Sequence, residues 1–141
     1  MKRYLLDTSA FLALRDDEAG ADQVAQLLRL ARQGKVRCLA CFMSLMEIYY
    51  RVWRDENEQE GRLAYEQCQG MSIAWIHETP ALLEKAAELK ATRRISLADA
   101  WIAAAALLEG ASLVHKDPEF QELEIQQLLL PFKLQDQGPL T

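Results

Sequence analysis

The chain has 141 residues, of which 50% are hydrophobic and 26% charged, with a formal net charge of −5. That length reads as one domain, able to bury about two thirds of the surface its unfolded chain exposes, and the composition leaves disorder only to the ends. The negative charge argues against broad, non-specific grip on a phosphate backbone. It leaves nucleic acid open as a partner, because an acidic pocket holding a divalent cation, ringed by a few arginines, attracts phosphate locally.

The longest uninterrupted apolar run, Ala100 to Leu108, falls far short of the roughly 20 residues of a membrane span. Lys2 and Arg3 are basic, but Asp7 breaks the first apolar run too early for a secretory signal, so the expectation is a cytoplasmic protein with no membrane partner. Three cysteines make no disulfide framework. Cys38 and Cys41 have the C-x-x-C spacing but fall in a strand pattern, where residues three apart point to opposite faces. They read as small buried hydrophobes.

Taken in order, Arg3 to Leu6 is an apolar run that gives way at once to Asp7, Thr8 and Ser9, as expected of an inner strand of a parallel sheet. Asp7 then stands at a strand's carboxyl end, the edge at which open α/β sheets bind ligands. Ala10 to Leu14 is expected as a short helix, and a second runs from about Asp22 with Val24, Leu27 and Leu28 on its apolar stripe and Gly34 just past its end. Val36 to Cys41 is the second strand. Met43 to Trp53 is a helix with Glu47 one turn in, at the counterpart of the junction that carries Asp7.

Arg54 to Gly61 reads as a charged linker, followed by a polar-faced helix from Arg62 to Gln69. Ser72 to Ile76 is the third strand. Pro80 opens a helix at a first-turn position, with Leu82, Leu83, Ala86, Ala87 and Leu89 expected on its buried face. Ser96 followed by Asp99 is a capping-box pattern, with Ser96 as N-cap and Asp99 in the first turn near the positive end of the helix dipole. The helix runs to Leu108, and its alanines Ala103 to Ala106 permit close approach to a sheet. Ala111 to His115 is the fourth strand, and Asp117 repeats the placement of Asp7 as an acid just past a strand's carboxyl end. Gln126 to Phe132 is the final strand, giving a domain over 1–132 with Lys133 to Thr141 as a flexible tail.

In a doubly wound sheet, Asp7, Asp99, Asp117 and Glu47 converge above one edge. Each close pair of carboxylates costs on the order of 3 to 4 kcal/mol at an effective dielectric near 20, so such a cluster takes up protons or a cation. All-oxygen ligands suit Mg²⁺ or Mn²⁺ better than zinc. An ion held this way supports chemistry at a phosphodiester, with Thr8 or Ser9 ordering a water in its shell. The competing reading takes each acid as a separate cap or surface charge; capping alone accounts for Asp99.

The segments Leu5-Leu6-Asp7-Thr8-Ser9, Glu47, Ile95-Ser96-Leu97-Ala98-Asp99-Ala100 and Leu113-Val114-His115-Lys116-Asp117-Pro118-Glu119-Phe120 resemble the four motifs of PIN-domain nucleases. In length and motif order the chain is most similar to VapC-type toxins of bacterial and archaeal toxin-antitoxin pairs. The resemblance implies a three-layer α/β/α sandwich around a parallel sheet of four to five strands. It also implies Mg²⁺- or Mn²⁺-dependent cleavage of single-stranded RNA, a homodimer and an antitoxin partner. The family's acids map onto Asp7, Glu47, Asp99 and Asp117. Where many members have Ser or Thr two residues before the last acid, this chain has His115, so the hydroxyl's role is missing or moved, with Thr8 the candidate to take it.

Arg15, Arg51, Arg54, Arg93, Arg94 and Lys116 are candidates to hold RNA phosphates, against a reading as solvated charges. Tyr49, Tyr50, Val52 and Trp53 exceed what one helix face needs and point to a dimer or antitoxin surface, with core packing as the competitor. His77 reads as structural. A receiver-like signalling domain also uses strand-end aspartates, but expects an acidic pair after the first strand and an Asp after the third; here Asp7 is followed by Thr8 and Ser9, and the third strand ends at Ile76-His77. A PIN-domain RNA-processing nuclease that is no toxin, or a catalytically weak PIN binding module, remain as alternatives.

Overall fold

The computed structural model describes residues 1–131. Five strands, β1 (Arg3–Leu6), β2 (Arg37–Cys41), β3 (Ala74–Ile76), β4 (Ser112–His115) and β5 (Gln127–Leu129), pair in parallel in the order β3-β2-β1-β4-β5. Six helices connect them: α1 (Thr8–Arg15), α2 (Ala21–Arg32), α3 (Phe42–Asp55), α4 (Glu58–Gln69), α5 (Pro80–Thr92) and α6 (Leu97–Glu109). The result is a three-layer α/β/α sandwich. Among the described residues, no helix is long and apolar enough to cross a membrane.

The short central strands are apolar on both faces because both are covered. Leu5, Leu39 and Leu113 point into one core with Ala86, Ile102 and the fully buried Ala103 to Ala106. Leu6, Ala40 and Val114, each one residue later, point into the other with Phe11, Val24, Ile48 and Val52. The period-two alternation also separates the cysteines: Cys41 belongs to the first core and Cys38 to the second, and both are free thiols. Burial pushes both thiols up to about 11, which suits inert packing.

Strand order reverses direction between β1 and β4. The chain leaves β1 toward β2 on one side and returns through α6 to β4 on the other, so the crevice at their carboxyl ends is the topological switch point. Asp7 follows β1 directly, and Asp117 stands two residues past the end of β4.

Several boundaries differ from the sequence expectation. The charged stretch 54–61 is almost all helix, because α3 continues to Asp55 and α4 starts at Glu58, with Asn57 capping it by accepting from the Glu60 N–H at 2.9 Å. Leu83 is exposed, as is Ala87, since the buried stripe of α5 is Leu82, Ala86 and Leu89, spaced four and three residues apart. The last strand is only Gln127–Leu129; Phe132 and the expected tail lie outside the described residues.

Gly61 sits inside α4, where helix propensity alone favours alanine by about 1 kcal/mol. A Cβ there would stand 2.8 Å from the Tyr49 carbonyl oxygen and 2.9 Å from the Trp53 Cβ, both on α3. Contact with backbone cannot rotate away, so Gly61→Ala is expected to destabilise by about 1–3 kcal/mol, read as a lower urea midpoint. A stabilised variant would show that the α3–α4 contact yields freely.

Candidate metal centre

Asp7 ends β1 and caps α1. Its Oδ1 accepts from the Ala10 N–H at 3.0 Å and from the Ser9 hydroxyl at 2.7 Å. Ser9 in turn accepts from the Lys116 N–H at 2.9 Å, which fastens the end of β1 to the residue after β4. Asp7 is only 3% exposed, and burial raises its pKa to about 7, assisted by the charges of Asp117 and Glu47 and opposed by the Ser9 and Ala10 hydrogen bonds.

Asp99 occupies the first turn of α6. The expected cap is present on one side: the Ser96 hydroxyl accepts from the Asp99 N–H at 3.1 Å. The reciprocal bond to the Ser96 N–H comes instead from Glu119, 23 residues on, at 3.0 Å. Capping therefore does not use the Asp99 carboxyl. Burial pushes that carboxyl up to about 9, reinforced by Glu119 and Asp117 beside it.

Asp117 caps a 3-10 turn, Pro118–Phe120, by accepting from the Glu119 N–H at 2.9 Å. The turn brings Glu119 back toward the strand end. Carboxylate oxygens of Asp99, Asp117 and Glu119 all lie within 4.8 Å of one another. Glu119 was not singled out from sequence; its signal is the D-P-E run, in which a proline-started turn puts acids two apart on one side.

Glu47 projects from α3 and accepts from the Thr8 hydroxyl at 2.6 Å. With that proton committed, the Thr8 oxygen, 3.0 Å from the Ser44 Oγ, accepts the proton of buried Ser44. The structure thus ties Thr8 to Glu47 and Ser9 to Asp7. Asp7 and Glu47 stand outside the tightest group, and the field of both Asp117 and Glu47 reaches Asp7.

Three of the candidate phosphate-binding cations, Arg15, Arg54 and Lys116, already have acidic partners. Arg15 forms ion pairs with Glu56 at 2.7 Å and Asp16 at 3.0 Å and lies 3.7 Å from Glu60. The Lys116 ammonium donates to the Ala19 carbonyl at 3.0 Å and lies 3.5 Å from Glu18. Both line, with Ser9 and Arg51, a cleft of about 390 Å³ whose wall also carries Asp16, Glu18, Asp55 and Glu56. Arg93 and Arg94 are exposed at the end of α5, and Arg54 pairs with Asp55 while lying over the Tyr50 ring. On the helices, Val52 is buried and Tyr49 half-buried, while Met46, Tyr50 and Trp53 remain exposed on α3 and Leu63 on α4.

Among the described residues, no lysine or arginine forms a salt bridge with Asp7, Glu47, Asp99, Asp117 or Glu119. Two of these acids are held well above the ordinary carboxylate range, so the group stores protons where a cation would relieve it. An all-oxygen donor set around a three-acid cluster fits a hard divalent ion.

Comparison with known proteins agrees with this fold. A search of curated proteins finds no match. Among solved structures, the chain is similar to VapBC2 from Rickettsia felis, bound to a promoter DNA fragment, with a TM-score of 0.74 and 18% identity over 92% of this chain and 99% of that one. It is similar to VapC20 of Mycobacterium tuberculosis, a Sarcin-Ricin loop cleaving toxin, with a TM-score of 0.71 and 20% identity over 91% and 99% of the two chains. VapBC-1 of nontypeable Haemophilus influenzae gives a TM-score of 0.69 and 24% identity over 90% and 97%. At these identities the likeness carries the fold. The PIN domain model, however, matches the sequence itself over residues 4–126. That match starts within β1, ends one residue before β5 and spans every element that carries one of the acids, and the chain belongs to the PIN domain family.

Proposed function

We propose that this protein is a Mg²⁺- or Mn²⁺-dependent endoribonuclease cleaving single-stranded RNA, and the toxin of a toxin-antitoxin pair. The observation that carries the reading is the meeting of Asp99, Asp117 and Glu119 within 4.8 Å at the sheet's switch point, with Asp7 and Glu47 at its margin. Asp7, Glu47, Asp99 and Asp117 are the ion's ligands in this reading, joined by Glu119. A divalent ion bound there lowers the pKa of water and neutralises charge on the scissile phosphate. The chain's own contribution is rigidity: Ser9 orients Asp7, and the Ser44–Thr8 pair orients Glu47, so the oxygens need not reorganise when substrate arrives.

Arg51 and Arg93 remain the candidates for contact with RNA phosphates, and Arg15 and Lys116 enter that role by exchanging their present acidic partners for phosphate. The exposed Met46, Tyr50, Trp53 and Leu63 support a protein partner on α3 and α4, an antitoxin or a second copy of the chain. VapBC structures among those similar to this chain favour the antitoxin reading, and a toxin acting on cellular RNA would work in the cytoplasm.

The test compares the parent with Asp7→Asn and Asp117→Asn on single-stranded RNA in Mn²⁺, in Mg²⁺ and in EDTA, with circular dichroism to show folding. Cleavage by the parent in metal and its loss in both variants are expected. Equal cleavage by all three proteins would remove the mechanism. Growth arrest on expression of the parent, absent with Asp7→Asn, separates a toxin from an RNA-processing enzyme.

A further inference from the structure

His115 is fully buried at the end of β4, and its edge meets the Phe120 ring with centroids 5.0 Å apart. Both ring nitrogens are engaged. The Asp117 N–H lies 3.0 Å from Nδ1, and a backbone N–H only donates, so Nδ1 is bare and Nε2 carries the ring proton. Nε2 therefore donates to the Gln127 Oε1 at 2.7 Å. The Gln127 amide nitrogen then donates to the Phe120 carbonyl at 2.7 Å and the Leu123 carbonyl at 3.3 Å. Each proton in this relay has one available direction.

Register explains why Gln127 is within reach. It pairs with Leu113, two residues before His115, so the side chains of Gln127 and His115 leave the same face of the sheet. The relay starts at the Asp117 amide, passes through β4 and β5, and returns to the segment that begins with Asp117 and Glu119. It closes a ring around the acidic turn. A hydroxyl at 115 is too short to meet both the Asp117 amide and Gln127, and a hydrocarbon offers neither an acceptor nor a donor.

We propose that His115, braced by Gln127, is a positioning residue of the metal centre. Its Nδ1 fixes the Asp117 backbone so that the Asp117 and Glu119 carboxylates face Asp99. This rests on the proposed cation site, and it assigns to an imidazole, bridging two strands, the work of holding half of that site in place. A buried histidine with no such role would contribute packing and stability, with no particular link to cation affinity.

The two amide variants separate these roles. In His115→Asn, the Oδ1 falls where Nδ1 stood and can accept from Asp117, but contact with Gln127 is lost. In His115→Gln, the longer amide better fills the site and can reach Gln127, but offers Asp117 nothing in the right place. Mn²⁺ affinity of the full chain is measured by electron paramagnetic resonance of the unbound ion, alongside Tm in EDTA. His115→Gln and His115→Phe are expected to bind Mn²⁺ about 10–100-fold more weakly than the parent, with His115→Asn recovering most of the loss although its Tm is no higher than that of His115→Gln. Nitrogen-15 spectra of the metal-free parent are expected to show the Nε2–H tautomer. Affinity that simply follows Tm across the three variants, or a protonated Nδ1 in the parent, overturns the positioning role alone. A parent that binds no Mn²⁺ overturns the cation site and this inference together.

Discussion

Replacing Asp99 with Asn is expected to lower RNA cleavage by on the order of 10³-fold and, in the same protein, to raise the Tm of the metal-free chain. The two effects share a cause. Asp99 is only 8% exposed, and its carboxyl is pushed up to about 9, by burial first and by Glu119 and Asp117 next. At neutral pH the folded chain must hold a proton there that the unfolded chain has released, which works against folding. Asparagine has nearly the same shape and no charge to neutralise, and the Ser96 cap, which uses only the residue's backbone N–H, survives. For a chain of this length each 1 kcal/mol regained raises Tm by roughly 3–5 °C. Activity moves the other way, because a ligand's negative charge is what holds a divalent ion; a 10³-fold loss corresponds to about 4 kcal/mol of transition-state stabilisation, the scale expected of metal-assisted charge neutralisation. Single-turnover cleavage with Mn²⁺ and melting in EDTA measure both. A variant that cleaves as the parent does, or that melts lower in EDTA, contradicts the role assigned to Asp99. A residue that destabilises the fold while serving its function is the pattern expected of an active site.

What could be read from the sequence was what is settled locally. The abrupt change at Leu6-Asp7 marks a strand end whatever the rest of the fold does, and Ser96 with Asp99 marks a helix start within four residues; both features stand in the structure. Asp117 was legible for the same reason as Asp7. Glu119 was not, because its position depends on two distant relations: the turn begun at Pro118 and the reach to the Ser96 N–H. The stretch 54–61 misled because charge and a glycine resemble a linker, whereas here the charges serve ion pairs with Arg15 and the glycine serves a helix crossing. Arg15 and Lys116 showed the same limit from the other side. Both lie where the sequence put them, near the carboxyl edge, but only the fold reveals that acids of other elements already hold them. His115 stood out as a departure from the expected hydroxyl, yet its meaning rests on Gln127, which β-strand register alone brings alongside.

The metal-free protein is expected to lose stability as pH rises, and divalent cation to cancel that loss. Asp7 titrates in the folded chain at about 7 against an ordinary 3.8, and Asp99 at about 9, so across the interval between each pair of values the folded state binds more protons than the unfolded one. Stability then falls with rising pH, by at most about 1.4 kcal/mol per unit for each proton, and by less where solvent screens Asp99. His115 acts in the opposite sense at lower pH. Burial holds its imidazole below its ordinary 6.5, so acid protonates the unfolded chain first and weakens the fold as pH drops through that region. By about pH 7.5 the imidazole is neutral in both states, and the three buried thiols, pushed up to about 11 from an ordinary 9.0, add to the loss only toward the upper end, so the window from 6.5 to 8.5 reports chiefly the carboxyls. Across it, the Tm in EDTA is expected to fall by roughly 5 °C or more. Saturating Mn²⁺ displaces the stored protons, so the rise in Tm on adding Mn²⁺ is larger at pH 8.5 than at 6.5, with proton release on binding visible in weakly buffered solution. Asp99→Asn flattens the upper part of the EDTA profile, whereas Asp7→Asn removes only the part below about pH 7. A Tm that climbs with pH in EDTA would mean that these carboxyls already have cationic partners in the fold, leaving them no need of a metal.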